Sequence, residues 1–271
     1  MKTRILVAVV GIPLLLLVLL VMPTIATGIL VGGMSVLAVY ELLYVTGLVK
    51  DIRLIAISGL MALCVCLWSC GQREWGAAIL GLWLYFAAMA VMMLFFRGKL
   101  PFETVGICAY AGVVVPLLLS ALTRILTMDY GRFYILVPFI VAFGSDSAAY
   151  FVGSAIGRHK MAPSISPKKS WEGAVGGFLG GILGMFLYGL ILDLGFQFTV
   201  SYGICVLIGA MGSVTCILGD LAFSVIKRQA GIKDFGSLLP GHGGILDRFD
   251  SMVFVAPLME ALLLFAPIIA R

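Results

Sequence analysis

Apolar residues in this chain run in long blocks rather than alternating, and polar residues gather in the gaps between the blocks. A helix that crosses a bilayer needs about 20 apolar residues. Nine blocks approach that length, at 4–22, 24–47, 53–70, 75–96, 103–123, 133–156, 172–195, 199–228 and 248–270. The pattern predicts an all-α, polytopic integral membrane protein of about nine transmembrane helices. Only Pro23 and its neighbours separate the first two blocks, which reads as a tight hairpin or one broken segment. Lys2 and Arg4 ahead of the first block could open a secretory signal, but the block is long and has no evident cleavage site. It reads as a retained first helix.

Composition agrees with that pattern. The chain is 62% hydrophobic and 11% charged, with mean hydropathy +1.16, whereas soluble domains carry roughly 25% charged residues. The net charge of +5 therefore points to basic loops meeting anionic lipid headgroups, not to nucleic acid. With nine spans and a cytoplasmic N-terminus, 14 of the 18 Lys and Arg residues fall on the cytoplasmic side, and only Arg73, Arg124, Arg132 and Arg271 oppose them. This is the asymmetry that orients membrane proteins. The six cysteines lie in apolar runs without partners at zinc spacing and read as small buried residues.

Two cytoplasmic loops are long and polar, 157–171 and 229–247, so a water-soluble substrate is expected on that face and the polar site should open there. Ionisable residues inside spans need a reason, and Glu41, Asp146, Asp220 and Glu260 are the candidates. Ser224, Lys227 and Arg228 follow Asp220 at helical spacing, making a polar stripe that descends from the basic rim into the membrane. A buried ion pair between helices is the plainer reading of Asp220. Asp146 lies among small residues and suits either a polar site or a structural hydrogen bond; Glu41 and Glu260 suit structural or pore-facing roles.

Chemistry is densest in the second loop, which runs through Lys233-Asp234-Phe235-Gly236, Pro240-Gly241-His242-Gly243-Gly244 and Asp247-Arg248-Phe249-Asp250. Gly241, Gly243 and Gly244 let backbone N–H groups approach an anion, and Lys227, Arg228, Lys233 and Arg248 can neutralise a phosphate chain. Asp220 and Asp247 are hard oxygen donors of the kind Mg²⁺ prefers. A solvated basic loop on lipid headgroups explains the cations but not the interleaved acids and glycines. In the first loop, Lys168 and Lys169 precede a helix start at Ser170-Trp171-Glu172-Gly173, which is either a phosphate site or topology punctuation. His242 sits within the charged loop and is the more functional of the two histidines; His159 reads as solvated.

From Ser224-x-Ile226-Lys227-Arg228 through Lys233-Asp234-x-Gly236 to Pro240-x-His242-Gly243-Gly244-Ile245-x-Asp247-Arg248-Phe249-Asp250, the chain resembles the phosphatidate cytidylyltransferases (CDP-diacylglycerol synthases). Asp146–Tyr150 and Ser166-Pro167-Lys168-Lys169 with Glu172-Gly173 share the resemblance, which covers the C-terminal half. It implies a membrane enzyme that takes CTP and phosphatidate to CDP-diacylglycerol and pyrophosphate, often as a homodimer. It also implies Mg²⁺ held at Asp220 and Asp247, and a monovalent cation such as K⁺ beside it; Asp146, as an acid inside a span, is a further metal candidate by its own position. Asp220, Asp247, Lys227 and Arg228 are then expected to be catalytic. Lys168, Lys169, Ser224, Lys233, Asp234, His242, Gly243, Gly244 and Arg248 are expected to bind substrate. The expected layout is one transmembrane domain over 1–271, with N-terminal spans over about 1–130 and a catalytic half over about 131–271, in a bacterial inner membrane. A CTP-dependent polyprenol-type lipid kinase is the alternative within enzymes. An ion-coupled transporter would need polar residues towards both membrane faces, and a CDP-alcohol phosphotransferase would need a run of aspartates that is missing here.

Overall fold

The computed structural model of the protein describes residues 2–71, 75–95, 100–238 and 243–270. Arg73, Pro240, Gly241, His242 and Arg271, all part of the reading above, lie outside them. The described chain is helical almost throughout and divides into two compact units, 1–127 with 229–249, and 128–228 with 250–271.

The first unit contains α1 (Lys2–Leu20), α2 (Thr24–Tyr40), α3 (Ile52–Trp68), α4 (Trp75–Phe95), α5 (Phe102–Ala109), α6 (Val115–Leu119) and α7 (Ala121–Leu126). Apolar blocks become helices here because lipid offers the backbone no hydrogen-bond partners, so each segment must satisfy its own. Helix α2 buries Thr27, Gly28, Val31, Ser35 and Ala38, which share one face at helical spacing, against α3. Small residues set the approach, with Gly32 facing Leu63 and Cys66 of α3 and Ser35 Oγ lying 3.4 Å from Cys66 Sγ. Two segments widen into π-helical turns, Glu41–Val45 after α2 and Tyr110–Val114 between α5 and α6. The first ends where Thr46 Oγ1 donates to the Leu42 carbonyl at 2.6 Å and Gly47 turns at φ +75.

The second unit contains α8 (Gly131–Tyr134), α9 (Leu136–Ile156), α10 (Trp171–Leu190) with a π-turn at Ile191–Gly195, α11 (Tyr202–Gln229), and all of α12 (Leu246–Phe265) from Asp250 onward. Helices α9 and α10 pack along their length through Gly173, Gly176, Gly177 and Gly180 on one and Ser145, Ala148, Ala149 and Val152 on the other. Small facing residues let membrane helices approach closely. Gly209 of α11 sits on Gly181 of α10, and Gly219 of α11 sits on Ser251 and Phe254 of α12.

The loop at 157–171, read from sequence as long and polar, holds a hairpin: β1 (Lys160–Ala162) pairs antiparallel with β2 (Ser166–Ser170). Ser170 ends β2 and caps α10, its Oγ accepting the Gly173 N–H at 3.1 Å. The first acid of α10, Glu172, reaches back to His159 Nδ1 at 2.6 Å and to the His159 N–H.

Six helical segments among the described residues are long and apolar enough to cross a membrane: 24–45, 76–95, 102–126, 131–156, 171–195 and 202–229. The other three blocks form α1, α3 and α12. Of α1 the stretch Gly11–Leu20, and α3 whole, are apolar but shorter, and α12 carries Asp247, Arg248, Asp250 and Glu260. The protein is an all-α integral membrane protein.

Candidate active site

In the second unit a cavity of about 500 Å³ is lined by Asp146, Tyr150, Ser154, Lys160, Lys168, Lys169 and Asp220, with Gly153, Gly173 and Ala174 along the α9–α10 seam. The hairpin supplies its cations, and α9 and α11 supply its acids. Small residues on α9 and α10 keep side chains off the seam, which leaves room for the cavity. Lys169 Nζ stands 2.5 Å from Asp220 Oδ2, and Ser224 Oγ, one turn along α11, donates to Asp220 Oδ1 at 3.2 Å. Asp146 faces the same cavity and accepts from Cys216 Sγ at 3.3 Å. It also lies close enough to Asp220 and Lys169 to feel both charges.

Farther along the α11 stripe, Lys227 Nζ lies 3.6 Å from Asp250 Oδ2, with both side chains only 10% exposed. Arg228 Nε donates to the Ile165 carbonyl at 3.1 Å, tying the end of α11 to the hairpin turn. The stripe expected from spacing is thus present as Asp220, Ser224, Lys227 and Arg228, each with a different partner. Sequence reasoning did not foresee Lys160 in the cavity or Asp250 as the partner of Lys227. The last residue of the Asp247-Arg248-Phe249-Asp250 run was the available signal for Asp250.

In the first unit the second polar loop is organised by carboxylates that receive backbone N–H groups. Asp247 Oδ2 accepts from Phe235 N at 2.8 Å and from Gly244 N at 3.0 Å, which closes the loop on itself. Gly243 adopts φ +90, a conformation open to glycine and costly for other residues. Lys233, Asp234 and Arg248 are exposed on this loop. Glu41, from the π-turn after α2, also enters it, with Oε1 accepting from Ile245 N and Oε2 from Leu246 N, both at 2.8 Å. No local pattern could have matched Glu41 with partners more than 200 residues away, at separations of 204 and 205.

Among the described residues, no three His, Cys, Asp or Glu side chains converge to hold a metal ion by themselves. Mg²⁺ is commonly bound through one or two carboxylates, with substrate phosphates and water completing its shell. Asp146 and Asp220, two hard donors on one cavity beside Lys160, Lys168 and Lys169, fit that mode of binding.

This chain is 35% identical to the phosphatidate cytidylyltransferase of Bacillus subtilis over 272 residues, or 97% of each chain. The phosphatidate cytidylyltransferases of Staphylococcus saprophyticus and Staphylococcus aureus are 42% and 40% identical over 138 residues, 51% of this chain and 52% of each of theirs. A family model for cytidylyltransferases matches residues 2–266. The signature residues, the lysine-lined cavity and that full-length match lead to one conclusion: the chain belongs to the cytidylyltransferase family.

Proposed function

We propose that this protein transfers the cytidylyl group of CTP to phosphatidate, giving CDP-diacylglycerol and pyrophosphate, at the cavity of the second unit and with Mg²⁺. The observation that carries the reading is the set of lysines and acids on one cavity, with Lys169 and Asp220 in contact. A phosphate oxygen of phosphatidate attacks the α-phosphorus of CTP, a new P–O bond forms, and the bond to pyrophosphate breaks. The attacking oxygen is already anionic, so no strong general base is required. The difficulty is bringing two polyanions together, which calls for positioned positive charge.

Lys160, Lys168 and Lys169 supply that charge at the cavity. Lys169 and Asp220 hold each other in place until substrate phosphate draws the ammonium away. Lys227, anchored by Asp250, and Arg228, anchored on the hairpin turn, extend the cationic rim along α11. Asp220 and Asp146 would hold Mg²⁺, which when bound withdraws charge from the phosphoryl oxygens and the leaving group. We assign Asp247 to the metal through the resemblance, and to ordering its own loop through its two backbone bonds. The same resemblance assigns Lys233, Asp234, Gly243, Gly244 and Arg248 to substrate phosphate, and K⁺ as an accessory ion. The cavity's basic rim is read as cytoplasmic, where CTP is found, while the acyl tails of phosphatidate stay in the bilayer.

The test is an assay of the purified protein with phosphatidate micelles and CTP labelled at the α-phosphorus, with and without Mg²⁺. Label is expected in lipid only with Mg²⁺, and to be lost in a folded Asp220→Ala variant. Label transferred from the γ-position instead, with CDP released, would replace this reading with a lipid kinase.

A further inference from the structure

Glu41 lies inside an apolar segment at the start of its π-turn, is 2% exposed, and belongs to no motif singled out from the sequence. A carboxylate buried among apolar helices is a costly choice unless its oxygens are hydrogen-bonded. Here each oxygen has its own backbone donor, Ile245 N on Oε1 and Leu246 N on Oε2. Those two amides open α12, where the first N–H groups have no carbonyl within the helix and the helix dipole favours a negative charge. The loop is shaped around this carboxylate, because a Cβ on Gly244 would come within 2.6 Å of it and one on Gly236 within 2.9 Å. The π-turn at Glu41–Val45 rotates the helix end that carries it, a distortion often found at functional positions.

Two carboxylates therefore fix one short segment. Asp247 ties Gly244 to Phe235 from within the loop, and Glu41 ties Ile245 and Leu246 to α2. We propose that Glu41 is a positioning residue for cytidylyl transfer: it holds Gly243–Arg248 in the one geometry that presents Asp247 and Arg248 to substrate. This inference rests on the reading above, in which Asp247 and Arg248 serve the reaction. An apolar side chain of the same size could fill the space but could not hold the two amides. Glutamine could accept from only one of them and would set its NH₂ against the other.

The experiment compares the full-length, detergent-purified protein with Glu41→Gln and Glu41→Asp. Hydrogen exchange over residues 243–249, without nucleotide or metal, reads the anchor directly. In Glu41→Gln the Ile245 and Leu246 amides are expected to exchange about tenfold faster or more, with α9–α11 unchanged. In the same variant kcat/KM for CTP is expected to fall about 10- to 100-fold, mainly through a higher KM for CTP. KM for phosphatidate should hold, and Glu41→Asp should recover part of the loss. Exchange equal to wild type would overturn the anchor. Loosened amides with unchanged KM for CTP, or a smaller active fraction alone, would reduce Glu41 to a structural role and overturn the proposal. If Glu41→Gln fails to fold, Gly236→Ala crowds the same carboxylate from the loop side, and faster Ile245 and Leu246 exchange together with the same KM shift decides. An inactive wild type with protected amides would instead sink the reaction assigned above and leave the anchor standing.

Discussion

The cavity of the second unit and the loop of the first both place acids beside polarised N–H groups, but the donors differ in kind. In the cavity unit, Asp220 meets the ammonium of Lys169 and Asp250 meets that of Lys227. In the loop, Asp247 and Glu41 meet backbone amides. An ammonium on a flexible stem can leave its partner for a phosphate, whereas a backbone amide cannot move without the loop moving. The cavity is thus arranged to exchange partners, and the loop is arranged to keep its shape. Signature residues of one family serve both purposes, so membership of the motif does not by itself tell which role a residue has.

The contrast breaks first at Asp220. Asp220→Ala is expected to cost about 10³-fold in kcat, in line with losing a group that stabilises transition-state charge. Measured by labelled-lipid formation at saturating substrates, a loss smaller than that of Gly236→Ala, which crowds Glu41 from the loop, would mean that loop shape outweighs cavity charge. Next comes Lys227→Met, which strands a 10% exposed Asp250 carboxylate and should lower stability by about 3 kcal/mol in detergent unfolding. The double variant Lys227→Met, Asp250→Leu should recover most of that stability. Activity that stays lost in the double variant would give Lys227 a chemical role beyond its pair. Lys169→Met follows, with about a 10²-fold loss in kcat/KM and a raised KM for CTP, because it removes the cation on Asp220. An unchanged KM would show that Lys169 stays on Asp220 when substrate binds.

How much of this the chain reveals by itself depends on how far apart the partners lie. The helices follow from uninterrupted apolar runs, and the Asp220-Ser224-Lys227 face follows from the helical period, because both are local regularities. The hairpin was hidden because β1 and β2 have only three and five residues, and Pro167 with two lysines gives the second no apolar alternation. Lys169 on Asp220 joins a strand to a distant helix, and Glu41 on Ile245 and Leu246 spans most of the chain. Glu41 was visible as an anomaly, an acid in an apolar segment, but its purpose was not, since backbone amides carry no sequence signal. Gly244 was legible as an anion-approach position, and the carboxylate lying against it is the protein's own.

The smallest expected effect gives the finest test of the contrast. Ser224 Oγ donates to Asp220 Oδ1 at 3.2 Å from one helical turn away, a long bond to a half-buried carboxylate that also borders the cavity. Removing it in Ser224→Ala leaves Oδ1 open to cavity water and Oδ2 still on Lys169, so the loss should be about 1 kcal/mol, roughly fivefold in kcat/KM. Ser224→Thr, which keeps the hydroxyl, should stay near wild type. If the cavity acids work by charge, Asp220 tolerates a small loss of orientation and this modest figure holds. A loss in Ser224→Ala approaching that of Asp220→Ala would mean that aim rather than charge limits Asp220. The cavity would then depend on fixed geometry as the loop does, and the distinction between exchangeable and permanent partners would fall.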